Sequence, residues 1–550
     1  MPSLRRLIPL LLVLLLAGCE VPGLSQPTPP PVIILASPAP AGPTRPASPA
    51  TQAPSATQAA TAPTDPNAPP ATPDTATTPA ATPAARGTIT MAFDSFPTYF
   101  PALVMQTRGL LQQRGYDLQL VPLGLNGVDF PEAQRYEKLR SGEWDVLATT
   151  LNSFARSASP EVGAITAVVD ESAGVDKIVA REDIGRLNDL RGKRIAYSEG
   201  SVSEYLLYYA LGLAGLGPQD VQLVPQPSAA DAVTAYTGGQ ADAIVAWEPT
   251  IKPAEEQAGS KVLIASDQLR AVLDVLVTSR PALDGKADAV QAFHAAWYDA
   301  LRLVIDAPDQ AEQAIIDWGN NDWTGIAQPG DLRASLEGIA QATLNANQIA
   351  FQQPQLLASR LSEARGVWER VGQIPPQSDP AQLVDGRFTQ AAAQDPQLFT
   401  NQAPVDSSFL LTARVSLPQL SEQQQQDAQE VVQLPLEKID FLPESTRLTD
   451  QARNDLLTQV LPVLRSSRLY LRIEGSSAWP GPAGRYSQEN IRAFAEERAT
   501  SVATFLSQQG IDPNRLLIGT LDPKFPNSLN EAELSQDRIV RFTLISTGGR

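Results

Sequence analysis

From Gly87 onward, short apolar runs alternate with segments whose apolar residues recur every three or four positions. Thr88 to Phe93 (TITMAF) predicts a strand, followed by the aromatic turn Asp94-Ser95-Phe96-Pro97-Thr98-Tyr99-Phe100. A helix over Leu103 to Arg114 ends at Gly115, and Tyr116 to Pro122 is a second strand. Ala133 to Arg140 predicts another helix, and Ser141 to Ala148 a turn into a third strand. Farther on, Arg194-Ile195-Ala196-Tyr197 predicts a buried strand. It delivers the turn Ser198-Glu199-Gly200-Ser201 to a helix that Ser201 or Ser203 caps and whose apolar positions include Leu206, Leu207, Ala210 and Leu213. Such a turn aims backbone N–H groups at whatever sits above it, which suits a polar ligand head. Strands and helices alternating at this spacing indicate an open, mostly parallel sheet with helices on both faces, where ligands bind beyond the carboxyl ends of the strands.

The phrasing then repeats. RSGEWDVLATT at 140–150 has a counterpart in TGGQADAIVAWEP at 237–249, and GLLQQRGYDLQLVP at 109–122 has one in GLAGLGPQDVQLVP at 212–225. Two lobes of related topology are expected within residues 87–400. Lobe two is placed at about 182–265, with crossings near 180–182 and 264–271. A helical tail from Pro281 to about Arg370 is expected to pack back on lobe one. Residues 401–431, with a glutamine run at 423–426, read as a connector. A second compact unit, 432–546, has few short strands and two long helices, over Leu448 to Leu464 and Tyr486 to Gln509. Its strands are Leu436 to Phe441, Leu469 to Glu474, Leu516 to Thr520 and Arg538 to Leu544. That pattern indicates an α+β sandwich.

The first 86 residues follow neither period. Arg5 and Arg6 precede the apolar run Leu7 to Leu16 and the small pair Ala17-Gly18, which together read as a signal peptide over 1–18. The apolar run is shorter than the about 20 residues of a membrane-spanning helix. Val21 to about Arg86 is Pro, Ala, Thr and Ser, too poor in apolar surface to fold. Residues 19–86 are therefore expected to be a disordered tether, reaching on the order of 100–200 Å at roughly 3.1 Å per residue.

Composition removes several function classes. The chain of 550 residues carries a net charge of −18, which argues against nucleic acid as a partner. One cysteine and one histidine exclude an intrachain disulfide and a Cys/His zinc site. A Ser-His-Asp hydrolase would have to use His294, which lies beside the apolar stripe Val290, Phe293, Trp297, Ala300 and Val304 of one helix. No enzyme, cofactor or metal is read from these residues.

Leu16-Ala17-Gly18-Cys19 resembles the bacterial lipobox, which implies diacylglycerol on the Cys19 sulfur and cleavage before it. Glu20 stands where inner-membrane retention uses Asp, which leaves open which membrane holds the anchor. Gly109-Leu110-Leu111 with GYDLQLVP, SGEWDVL, VDKIVA at 175–180, LRGKRIAY, the Gly200-Ser201-Val202-Ser203 turn and GQADAIVAWEP resemble substrate-binding proteins of ABC importers, in the nitrate/sulfonate/thiamin-precursor branch. The resemblance implies an α/β two-lobed periplasmic-binding-protein fold that closes on a small solute and delivers it to an ABC permease. Carried over by position, the ligand residues are Asp94, Ser95, Phe96 and Tyr99; Thr149, Thr150 and Asn152; Ser198, Gly200, Ser201 and Ser203; Trp247 and Glu248; and Asp274. Trp247 also reads as plain core, and Asp94 as a helix cap. Asp94, Glu248 and Asp274 are acidic and no Arg or Lys falls in these turns, which favours a nitrogen heterocycle or amine over an oxyanion. Some thiamin-precursor relatives are enzymes that use cysteines and histidines; Cys19 and His294 do not supply that chemistry here.

IDFLPESTRLT, LRIEGSS, ERATSVATFLSQQGIDPNRL and DRIVRF resemble the OmpA-like peptidoglycan-associating domain. In that family an Asp and an Arg grip the diaminopimelate of the stem peptide. Arg498 matches the arginine, Arg538 matches the later one, and the aspartate falls on Ala478 in a lengthened turn. Arg498 points along the apolar stripe of its helix, so it needs an anionic partner: Glu474, Asp537 or a bound carboxylate. The expected protein is a membrane-anchored lipoprotein of the cell envelope, facing the periplasm or exterior. It captures a small molecule and carries a peptidoglycan-associating module. The competing reading is a structural or sensory wall lipoprotein whose lobes do not serve transport.

Overall fold

The computed structural model describes residues 85–547, apart from 129, 376–379, 396–414, 437, 440, 442–444, 478–486, 526–527 and 529. The signal segment, Cys19, nearly all of the tether, Ala478 with its lengthened turn, and the connector up to 414 lie outside the described residues.

Two mixed sheets build the larger part. In the first, β1 (Thr88–Phe93) lies between β2 (Asp117–Pro122) and β3 (Val146–Thr150), all parallel. The strand β10 (Leu273–Ser279) runs antiparallel to β3 and to β4 (Gly163–Ser172), and β11 (Ile339–Gln341) closes the edge. In the second, β6 (Arg194–Ser198) lies between β7 (Gln222–Gln226) and β8 (Ala243–Trp247), again parallel. Here β5 (Asp176–Arg181) runs antiparallel to β8 and to β9 (Ser260–Ala265). The orders β2-β1-β3-β10-β4 and β7-β6-β8-β5-β9 are one arrangement used twice. The repeated sequence sits at equivalent places: 109–122 and 212–225 end in β2 and β7, and 140–150 and 237–249 end in β3 and β8.

The antiparallel fourth strand departs from the mostly parallel sheet that the sequence pattern predicts, for a geometric reason. The chain leaves the first lobe along β4, toward the carboxyl ends of its parallel neighbours, and enters the second lobe from the same side. The incoming strand β5 must then run against β8. The return through β9 and β10 repeats this. The crossings are residues 173–175 and 266–272, so the second lobe begins at β5, ahead of residue 182, and the first crossing precedes 180–182.

Apolar periodicity decides the helical layers. The helix Ala287–Asp306 buries Val290, Phe293, Trp297, Ala300 and Val304, and packs with Pro308–Trp318 on Pro101–Thr107 in the first lobe. Each large side chain so buried contributes about 1.5–3 kcal/mol. The helix Pro354–Arg370 departs from the expected packing on lobe one alone. It lies against both Leu151–Ser157 of the first lobe and Val202–Leu213 of the second, with Trp368 beside Tyr205 and Tyr208.

The C-terminal unit is one sheet, β12 (Gln429–Gln433)-β15 (Val540–Ser546)-β13 (Tyr470–Gly475)-β14 (Leu516–Thr520), under the helix Gln488–Gln508. Its first strand lies ahead of the predicted Leu436 to Phe441. Gly475 lets β13 approach the long helix, because a Cβ there would overlap the Ala495 carbonyl. The unit rests on the second lobe. The Asn188 amide both donates to the Gln433 carbonyl (2.9 Å) and accepts from its N–H (2.8 Å), Arg186 pairs with Glu430 at 2.8 Å, and Tyr209 meets Ser466 at 3.0 Å. Among the described residues no helix is long and apolar enough to cross a membrane.

Candidate functional site

The crossings bring the carboxyl ends of both sets of parallel strands to one cleft of about 1600 Å³. Small-solute pockets are commonly about 300–1,000 Å³. Of the residues named from sequence, Asp94, Ser95, Phe96, Tyr99, Thr149, Thr150, Ser198, Gly200, Ser201, Trp247, Glu248 and Asp274 line it. Asn152 and Ser203 do not. Both are 1 % exposed and sit behind the wall, where the Asn152 carbonyl accepts the Trp368 indole N–H at 2.9 Å.

Local chemistry fixes each contributor. Asp94 accepts from the Phe96 N–H at 3.1 Å, shaping the turn after β1 that sets Phe96 edge-on to Tyr99. Thr150 caps the next helix through the Ser153 N–H at 3.1 Å, and Tyr136 reaches the Thr149 hydroxyl at 3.3 Å. Ser201, not Ser203, caps Val202–Leu213, accepting from the Ser203 N–H at 3.2 Å. The N–H groups of that turn are not all left for a ligand as the sequence pattern suggests. Glu204 folds back and accepts the Gly200 N–H at 2.9 Å, and is itself held by Gln373 at 2.8 Å. Trp247 joins both readings given above, packing on the second-lobe core while lining the cleft. Glu248 is paired with Lys177 at 2.7 Å, and Lys177 also meets Glu255 at 2.7 Å.

Asp274 is 3 % exposed and lies directly opposite Asp170, 1 % exposed, across the β10–β4 ladder. Burial, then the facing Asp170, hold the Asp274 carboxyl well above the usual carboxylate range; burial also raises Asp170. Burial, Asp274 and Asp94 raise the Tyr99 hydroxyl in turn. Sequence reasoning missed Asp170, although a carboxylate closing the apolar run GAITAVV was a visible signal. It also missed Glu132, Arg135, Asp176, Lys177 and Trp323, all lining the cleft. Burial pushes Glu132 up to about 7 and Asp176 up to about 6. The proposed turns hold no Arg or Lys, yet Arg135, Lys177 and Lys252 line the cleft from outside them; Arg135 donates to the Phe130 carbonyl at 2.8 Å and Lys177 is held by its two glutamates.

His294 is fully buried in the first-lobe core, stacked on Phe388 at 5.8 Å, and burial lowers its pKa to about 3. It lies outside the cleft lining. In the C-terminal unit the Arg498 guanidinium lies between Phe441 (4.8 Å) and Phe494 (4.7 Å), and Nε donates to the Ser445 carbonyl at 3.4 Å. Burial and neighbouring Arg538 lower its pKa. Neither internal partner named from sequence serves it. Asp537 accepts the Lys524 and Phe525 N–H groups at 2.6 and 2.7 Å, and Glu474 faces Arg472 and Arg541. Among the described residues Arg498 makes no ion pair.

Residues 97–311 match the family model described as NMT1/THI5 like. A protein of Brucella abortus (strain 2308), named as a binding protein, is 34% identical over 110 residues, 20% of this chain; the match spans only 34% of that protein's length. The taurine-binding periplasmic protein of Escherichia coli (strain K12) is 29% identical over 177 residues, 31% of this chain and 54% of its own. The crystal structure of the periplasmic aliphatic sulphonate binding protein from Escherichia coli superposes with a TM-score of 0.43 at 20% identity, over 56% of this chain and 100% of that one.

Proposed function

We propose that this protein is an extracytoplasmic solute receptor of the ABC-importer type. One observation carries the reading: two sheets of the same order present their carboxyl ends to a single cleft, with two crossings between them on which the lobes can hinge. The taurine-binding relative is in keeping with a small solute as cargo. In this reading Cys19 carries the lipid anchor and residues 19–86 hold the receptor off the membrane. The C-terminal unit is an OmpA-like module that takes a peptidoglycan carboxylate at Arg498 and Arg538. Two aromatic faces and an arginine without an ion pair among the described residues suit an anion that the chain does not itself provide there.

A thermal-shift panel of amines, nitrogen heterocycles and sulfonates tests the receptor reading on the full chain. A ligand present at a hundred times its Kd adds about 2.7 kcal/mol, several degrees of midpoint. No stabilisation by any class would sink the receptor reading. Retention of the label after metabolic acylation of Cys19→Ala cells would remove the anchor.

A further inference from the structure

We propose that the cleft takes its solute by a protonated amine, seated on the cross-strand pair Asp170 and Asp274, with the solute's body along Phe96, Tyr99 and Trp323. This rests on the receptor reading and names its ligand class.

The pair is the unusual feature. Asp274 and Asp170 are register partners on adjacent antiparallel strands, so their side chains leave the sheet on the same face. Like charges directly opposite one another repel, and here both are buried. The Thr98 and Tyr99 hydroxyls approach the pair, and both are neutral. Neither oxygen of Asp170 nor Oδ1 of Asp274 makes a well-formed hydrogen bond among the described residues, while Asp274 opens to the cleft. Buried carboxylates are ordinarily served by donors or cations. Of the cations that line the cleft, Lys177 is paired with Glu248 and Glu255, Arg135 donates to the Phe130 carbonyl, and Lys252 stands exposed on the second lobe; Arg270, in the second crossing, is paired with Glu171 at 2.7 Å. In this reading the pair's positive counterpart comes from outside the chain. An ammonium supplies three N–H groups and one charge, enough to bridge both carboxylates.

The opposite wall argues the same way. A helix N-terminus is the usual seat for an oxyanion. In the second lobe the turn leading into that seat is already engaged from behind, because the buried Glu204 carboxylate holds the Gly200 N–H. The acidic groups do not converge into a three-ligand metal cage among the described residues, which leaves an organic cation. The cleft that Asp274 lines also presents aromatic faces: Phe96 edge-on to Tyr99 at 5.8 Å, and Trp323 set against Phe93 and Phe100. Such walls bury an apolar body and attract its charged end.

Benzylamine, benzyl alcohol and benzenesulfonate share a ring and differ in the head group. Titrated calorimetrically into the full chain, benzylamine is expected to bind at least tenfold more tightly than the alcohol, and the sulfonate not measurably. Asp274→Asn keeps the side-chain shape and should weaken benzylamine at least tenfold, with an unchanged circular dichroism spectrum. Asp170→Asn, one strand away, should do the same. Sulfonate or alcohol binding as tight as that of benzylamine, or Asn variants that keep wild-type affinity for benzylamine, would overturn the amine seat. Saturable benzenesulfonate binding would overturn it while leaving the receptor reading standing. No saturable binding by any of the three would overturn the amine seat, and only the wider solute panel would then decide the receptor reading.

Discussion

Gln268, in the second crossing between the lobes, donates from Nε2 to the Ser546 hydroxyl at the end of β15, 2.8 Å away. Its carbonyl also accepts the Arg468 N–H at 2.8 Å. The C-terminal unit thus grips the segment on which the lobes must pivot, as well as the second lobe itself. Hinge segments absorb backbone rotation when a cleft closes, so a bond to one restrains the motion. Ser546→Ala removes the side-chain grip and leaves the Arg468 contact. Amide hydrogen exchange in residues 266–272 should rise by about two- to tenfold, the worth of one neutral hydrogen bond. Strands β6 and β8 should keep their protection. Unchanged exchange in the crossing would show that the unit rides on the lobe without touching its hinge.

The carboxylate pair predicts how stability responds to pH. Asp170 and Asp274 both have folded-state values raised by burial, and Asp274 is raised further by the facing Asp170, against about 3.9 in the unfolded chain. A raised carboxyl favours the protonated form in the fold. Its contribution is therefore whole below about pH 4 and is lost as pH rises through the folded value, about 7 for Asp170. Asp274→Asn removes the Asp274 carboxyl, which burial and the facing Asp170 both raise. The stability of this variant relative to wild type should grow between pH 5 and pH 8, by about 1.4 kcal/mol for each tenfold change in proton affinity that is relieved. Glu132, Asp176 and His294 titrate in both proteins and cancel in the difference. Denaturant melts at the two pH values measure it. A difference independent of pH would mean that the Asp274 carboxyl is not raised in the fold.

Much of this architecture is legible in the chain's own pattern. The strand-turn-helix phrasing at 88–122 and 194–213 marks the strands that frame the cleft, because a buried parallel strand needs a continuous apolar run. The internal repeat marks the two lobes, since β3 and β8 occupy equivalent places. What the pattern does not carry is partnership across the chain. Whether the Gly200 N–H is open to a ligand depends on the rotamer of Glu204, four residues on. Whether Asp170 matters depends on Asp274, 104 positions away, and no local period links them. Asn152 and Ser203 are misplaced for the same reason. Their spacing fits the turn, but the helix Pro354–Arg370, far along the chain, covers Asn152.

The seat between the second lobe and the C-terminal unit makes its own prediction. The Asn188 amide satisfies both the N–H and the carbonyl of Gln433 on β12, an edge strand whose polar groups need partners. Asn188→Ala leaves both unmet. A cost of about 1–3 kcal/mol is expected, read as a lower unfolding midpoint and as faster proteolytic cleavage between residues 415 and 430. Asn188→Asp keeps the acceptor and loses the donor, so it should fall between the two. Equal midpoints for all three proteins would place the strength of the seat elsewhere, at Tyr209 and Ser466.

Arg498 carries the last prediction. Its guanidinium lies between Phe441 and Phe494, beside Arg538, and makes no ion pair among the described residues. A half-buried cation without a counterion costs free energy, and the expected aspartate position is Ala478. If a peptidoglycan carboxylate completes the site, Arg498→Ala should weaken pelleting with diaminopimelate-containing peptidoglycan at least tenfold. Arg498→Lys keeps the charge but not the planar fork, so it should recover only part of the binding. A site serving the fold alone would behave otherwise: Arg498→Ala would change the unfolding midpoint while pelleting stayed at the wild-type level. Amidating the diaminopimelate carboxylate supplies an arm that leaves the protein unaltered. It should abolish the difference between wild type and Arg498→Ala, because the carboxylate is the group the arginine is read to hold.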